Sequence, residues 1–248
     1  MEGEMDRRVS TLVVGVAIAL LAVACTTGVV PSSPPGGSSP IPTAAPSDPP
    51  TGTPTPTPSP TPVPTLPPSG ALAPGSYRSD FITYTVPAGW SAYGGFAALT
   101  NDSHPPNGMA IVPDRGIAVV YKDPCHWAST SAPVGPTVDA VVAALVAQKR
   151  GATVTPIDVT IKGFKGKQID LMVPLAEKIA SCDGGEYHSW GDGHGGDRYN
   201  QGPGQHDLLD ILDVNGTTLV IDRVFYPANT AADRAELQAI FDSIKITP

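Results

Sequence analysis

The chain has 248 residues, with 29 prolines, 26 glycines and three cysteines, and its 15 Lys and Arg against 23 Asp and Glu give a net charge of −8. With no basic cluster anywhere, nucleic acid and anionic lipid head groups are poor partners, and no nucleic acid is expected. The length accommodates one ordinary domain plus non-globular segments, and the prolines concentrate before residue 75.

Arg7 and Arg8 precede an uncharged run at 12–24, LVVGVAIALLAVA. That run is too short for the roughly 20 residues that span a bilayer, but it suits the core of an export signal. It ends Leu21-Ala22-Val23-Ala24-Cys25, which resembles a bacterial lipobox. The resemblance implies a signal peptide at 1–24 and a lipidated Cys25 that anchors the chain to the outer face of the cell membrane. Two alternatives stay open: ordinary secretory cleavage after Ala22-Val23-Ala24, and an uncleaved anchor. Asp6 and Ser10 fit a twin-arginine signal poorly, and Met5 gives a more usual positive start than Met1.

Residues 25–74 are rich in Pro, Thr, Ser and Gly, and TPTPTPSPTPVPTLPP at 53–68 alternates proline with small residues. Proline fixes φ and removes a donor, so this stretch is expected to be a disordered, extended stalk. At about 3.1 Å per residue it would reach ~100–150 Å. An SH3-like ligand role is the sharper alternative, but an exported tether argues against it.

The segment 75–248 is expected to be one globular domain. FITYTV at 81–86 alternates and is closed by Pro87-Ala88-Gly89-Trp90, a strand and a turn. Short strands are expected at 96–100 and 116–122. Thr137 caps a helix over 138–149, with Val138, Val141, Val142, Leu145 and Val146 on one face and Gly151 ending it. Ile157, Val159 and Ile161, then Ile169, Leu171 and Val173, alternate across the turn at 162–166, a hairpin with one wet face. Asn215-Gly216 joins two strands, 208–214 and 218–226, that are apolar on both sides and so central in the sheet. Thr230 and Asp233 open a closing helix with Leu237, Ile240, Phe241 and Ile244 as its stripe, and 245–248 adds an edge strand. Strands, helix, two hairpins and helix make an α+β fold with a mostly antiparallel sheet.

Tyr84-Thr-Val-Pro-Ala-Gly-Trp90 and the ending Asp233-Arg-Ala-Glu-Leu-Gln-Ala-Ile-Phe-Asp-Ser-Ile244 resemble the PsbP-like α/β/α sandwiches, including exported lipoproteins of the LpqN type. The chain is also similar to exported domains of actinobacteria and chloroflexi. The resemblance implies that fold, with two main helices, and a non-catalytic binding or accessory role; it transfers no functional residue.

The stretch 182–214, CDGGEYHSWGDGHGGDRYNQGPGQHDLLDILDV, is the candidate site: an irregular loop as far as Gln205, then a strand. Cys125 and Cys182 are an even pair in an exported domain and are expected to form a disulfide that ties the loop to His126 and Trp127. The alternative is a free thiol working with His126 or His188. His188, His194, Asp192 and Asp197, with His206 and Asp207, offer metal ligands, but their spacing fits no closed template and solvated loop residues explain the same letters. Gly191, Gly193 and Gly196 match a dinucleotide fingerprint without its strand or helix, so no cofactor is expected. Ser189 beside His188 is a weak hydrolase signal. Tyr187, Trp190 and Tyr199, with Trp127 brought near, suit a platform for a carbohydrate, a peptide or an envelope protein. The opposing expectation is that Trp190 and Trp127 plug the end of the sheet. Three functional readings result: a non-catalytic binding or accessory module, a surface hydrolase using 183–207, and a structural envelope protein.

Overall fold

A computed structural model of the chain describes residues 61–100, 104–150, 154–193 and 196–248. The expected signal segment 1–24, Cys25 and the stalk as far as residue 60 lie outside these, as does His194. The described residues form the strands β1 (Ser69–Ala71), β2 (Gly75–Arg78), β3 (Ile82–Val86), β4 (Trp90–Tyr93), β5 (Ala97–Thr100), β6 (Ala110–Asp114), β7 (Val119–Tyr121), β8 (Ser131–Pro133), β9 (Ile157–Ile161), β10 (Phe164–Met172), β11 (Tyr187–Gly191), β12 (Asp197–Asn200), β13 (His206–Val214), β14 (Thr217–Phe225) and β15 (Lys245–Ile246), and the helices α1 (Val138–Val146) and α2 (Ala231–Asp242).

The main sheet has eight strands in the order β1-β4-β5-β6-β14-β13-β10-β9. A second sheet runs β12-β11-β7-β8 and a third β15-β3-β2. Every ladder between these strands is antiparallel, which gives the expected α+β class. The long hairpin β13–β14 is central, as its two-sided apolar pattern requires. Asn215 (φ 55°) and Gly216 (φ 85°) both take the left-handed conformation, which matches the twist of the strands they join. At Gly166 in β10 a side chain is excluded, because a Cβ would lie 2.0 Å from the carbonyl oxygen of Ile211.

Alternation sends consecutive residues of β13 and β14 to opposite faces, and each face is covered. On one, Leu212, Leu219 and Ile221 pack with Ile111, Trp90, Tyr84 and the α2 residues Leu237, Ile240 and Phe241. The capping box of α2 forms with Thr230 and Asp233 as read from the sequence. On the other face, Leu209, Ile211 and Val220 pack with Ile169, Leu171, the α1 residues Val141, Val142 and Leu145, and Val120 and Trp190 of the second sheet. Each fully buried aliphatic side chain contributes about 1.5–3 kcal/mol relative to exposure.

Three expectations need correction. α1 stops at Val146 rather than 149, because the next residues enter the space between the sheets: the Gln148 amide donates to the carbonyls of Tyr121 and Ser189, and the Lys149 amide pairs with the Lys122 carbonyl. The stretch 183–205 is not an irregular loop throughout; it holds β11 and β12. The domain also starts before Gly75. Leu66 and Leu72, placed in the stalk by composition, are 3% and 7% exposed in the core, and β1 pairs with β4.

Leu66→Ala is therefore expected to lower stability by about 2–4 kcal/mol, measured by chemical denaturation. A change within experimental error would return that segment to the stalk.

Candidate functional site

The second sheet has an inner face against the main sheet and an outer face toward solvent, and strand alternation assigns its residues. On β12, Arg198 and Asn200 point inward while Asp197 and Tyr199 point outward. On β7, Val120 joins the core and Tyr121 lies on the outer side against His188. On β11 a register irregularity falls between His188 and Trp190. It lets Ser189 and Trp190 both serve the inner side, Ser189 bonding to Asn200 and Trp190 packing in the core.

The inner face is a buried polar network. Asp207, with none of its surface exposed, accepts from Arg198 Nη2 at 3.0 Å, from Gln205 Nε2 at 2.7 Å and from Asn200 Nδ2. Arg198 Nε donates to Asp222 at 2.7 Å, so one guanidinium bridges two fully buried carboxylates on adjacent main-sheet strands. Ser189 Oγ donates to Asn200 and accepts from Arg150 Nη2 at 2.6 Å, and the Tyr226 hydroxyl donates to Gln205 at 2.8 Å. Burial first, and then the Asp207 charge, push the Asp222 carboxyl up to about 7, against the pull of Arg198.

The outer face is an aromatic cluster around His188, which is 5% exposed. Trp127 stacks on the imidazole with ring centroids 4.1 Å apart and planes 22° apart. Tyr199 leans over it at 5.9 Å and Tyr121 meets it edge-on at 5.7 Å. Both ring nitrogens face carboxylates: Nε2 lies 2.8 Å from Glu186 and Nδ1 3.6 Å from Asp197. The Tyr121 hydroxyl donates to Asp197 at 2.8 Å, and burial together with that carboxylate pushes its pKa up to about 12. Trp127 is held in turn. Its indole N–H donates to the Asp183 carbonyl at 2.7 Å, the Asp183 carboxylate accepts the Ala128 amide at 3.1 Å, and Cys125 is bonded to Cys182. The disulfide expected from the cysteine count is present, and it fixes the turn that carries Trp127 against the start of β11.

The sequence-expected site residues thus divide. Tyr187 and Trp190 are each 1% exposed and belong to the interior, so they are removed from the binding candidates. Trp127 is half-buried and Tyr199 is 38% exposed, both at the outer face. Tyr121 and Glu186 were missed; the period-2 placement of Tyr121 in VVY was the available signal. Among the metal candidates, His188 Nδ1 lies 3.6 Å from Asp197 while its Nε2 is engaged by Glu186, and Asp192 accepts the Gly196 amide at 2.9 Å. Among the described residues the one trio of ligand-type atoms within 4.8 Å is Cys125, Glu177 and Cys182, whose sulfurs the disulfide consumes. The disulfide equally removes the free-thiol alternative. Ser189 faces away from His188 and into the polar network. A strand does precede the Gly191, Gly193 and Gly196 fingerprint, contrary to expectation, but the strand β12 follows it, so the unit is a hairpin rather than a dinucleotide fold.

The sequence matches no protein-family profile and no curated protein. Among solved structures it is similar to a protein of Bacteroides thetaiotaomicron at 11% identity, over 71% of this chain and 50% of that one, with a TM-score of 0.34. It is also similar to the cyanobacterial PsbP (CyanoP) of Synechocystis at 11% identity, over 71% of this chain and 95% of that one, with a TM-score of 0.33. The chain spans half the length of the Bacteroides protein, and at these scores neither likeness carries an argument.

Two measurements test the site. The disulfide closes a 57-residue separation, so the double substitution Cys125→Ser, Cys182→Ser is expected to cost about 4 kcal/mol in a denaturant titration; a loss below 1 kcal/mol would contradict the tether. Asp222 binds its proton more tightly folded than unfolded, so its contribution is complete below about pH 4 and is lost as pH rises through about 7. Wild-type stability should therefore fall relative to Asp222→Asn between pH 5 and pH 8, and parallel pH curves would contradict the assignment.

Proposed function

We propose that the chain is an exported, lipid-anchored, non-catalytic binding module that recognises its ligand through the outer face formed by Trp127, Tyr199, Glu186 and Asp197. The observation that carries this reading is the His188 cluster. An imidazole hydrogen-bonded to one carboxylate, 3.6 Å from a second and stacked on an indole is an arrangement for holding side chains still, and it leaves an aromatic and acidic wall already ordered before any ligand arrives. Catalysis finds less support. Both nitrogens of His188 are turned toward carboxylates, and the serine beside it points inward. Two open depressions among the described residues lie elsewhere, one lined by Thr85, Lys162 and residues 242–246, the other by residues 136–139 and 165–167.

Aromatic faces beside carboxylates suit a carbohydrate or peptide of the cell envelope. Attachment through Cys25 rests on the lipobox-like run at 21–25, and a PsbP-like, LpqN-type lipoprotein remains the family reading supported by the motifs at 84–90 and 233–244.

Binding of the purified protein to a panel of envelope polysaccharides and peptides, followed calorimetrically, tests the surface. Tyr199→Ala and Glu186→Gln should each weaken binding about tenfold or more; Glu186→Gln keeps a group that can bond His188 and should melt near wild type, while Tyr199→Ala, which uncovers His188, should lower melting only modestly. Retained affinity in both variants would contradict the assignment. For the anchor, Cys25→Ala should move the protein from the membrane fraction to the soluble one, and unchanged fractionation would favour another mode of attachment.

A further inference from the structure

Arg150 is the anomaly of the interior. It is 3% exposed; its Nε donates to Gln148 at 2.8 Å and its Nη2 to Ser189 at 2.6 Å, while its Nη1 has no partner. The other buried or half-buried arginines of the two helix-covered faces are neutralised locally, Arg198 by Asp207 and Asp222 and Arg223 by Asp210 at 2.7 Å. Among the described residues no carboxylate lies within ion-pair distance of Arg150. Asp207 and Asp222 act on it only at longer range and are already paired with Arg198, and a buried guanidinium without a direct counter-charge costs several kcal/mol.

A second orphan lies beside it. The Tyr187 hydroxyl is buried without a partner, and the Arg150 guanidinium carbon sits 5.6 Å from the centroid of the same ring. The acceptors that face Arg150, Gln148 Oε1 and Ser189 Oγ, are already engaged. What remains is an N–H edge that carries positive charge and, on the ring that the guanidinium lies over, a neutral O–H. Water would satisfy the hydrogen bonds and leave the charge without a direct partner. The chemistry that satisfies both is a compact monovalent anion, since 3% exposure leaves no opening for a large or multiply hydrated one.

We propose that Arg150, through its free Nη1 edge and with the Tyr187 hydroxyl as second donor, holds a small monovalent anion, a halide or a formate-sized carboxylate, between the two sheets. This site is on the inner side of the second sheet, independent of the surface that meets the ligand. Its occupant completes the chain of donors that runs from Arg150 through Ser189 and Asn200 to Asp207, and thereby favours closure of the second sheet onto the first.

The test is the melting temperature of the purified protein at constant ionic strength, as gluconate is replaced by chloride, bromide or formate. A saturable rise of about 3–6 °C at ten times the apparent Kd is expected, together with an anomalous-scattering peak within hydrogen-bond reach of Arg150 Nη1 in bromide-soaked crystals. Tyr187→Phe removes one hydroxyl with little change of shape and should reduce the rise. Arg150→Lys, if it folds, should abolish it. No anion dependence in the wild type, an undiminished rise in Tyr187→Phe, or bromide found only elsewhere would overturn the proposal.

Discussion

The carboxylate of Asp207 sits where two sheets meet and has no access to water, so its charge must be met entirely by protein donors. Three side chains do this, from Arg198, Asn200 and Gln205, and the first two come from β12. Hydrogen bonds to a buried charge are worth about 1.5–3 kcal/mol each, and stripping a buried pair of one partner costs about 3–5 kcal/mol. A four-residue strand has little apolar area with which to dock itself. The need to neutralise Asp207, and Asp222 beside it through the same guanidinium, is what fixes β12 in place and in register.

The outer surface follows from that inner constraint. Once Arg198 and Asn200 are committed inward, the strand period leaves Asp197 and Tyr199 no choice but the opposite side, where Tyr121 and His188 arrive by the same alternation from β7 and β11. The disulfide then adds Trp127 from a separate turn. Four backbone segments therefore meet at one imidazole, each positioned by something beneath or behind it rather than by contacts of the exposed face. The presented wall is rigid for reasons that a ligand does not have to supply. Glu186, whose carboxylate holds the far nitrogen of His188, is the most exposed member and the one most available to a ligand.

Much of the frame was legible in the sequence because it obeys a period. The β13–β14 hairpin is announced by Asn215-Gly216 between apolar runs, α1 by its valine spacing, and α2 by the Thr230 and Asp233 cap. The site was not legible in the same way. Asp207, Arg198 and Asn200 are letters of a solvated loop until their partners on other strands are known, and YHSWG and DRYN are too short to show a period. A single irregularity at Ser189 reverses which aromatics face outward, so that Trp190 is core while His188, two residues earlier, is not. The stalk boundary failed for a related reason: Leu66 sits among prolines, and composition cannot see that one leucine is drawn into a core whose other members extend as far along the chain as Ile244.

Amide hydrogen exchange in the Asp207→Asn variant tests the account most directly. If the buried charge at Asp207 is what holds the second sheet, the variant should lose protection selectively across residues 187–191 and 197–200 while the central hairpin of β13 and β14 keeps its slow exchange. Uniform loss across both sheets, or unchanged protection in residues 197–200, would show that the second sheet is held by its apolar contacts instead and would contradict the central claim.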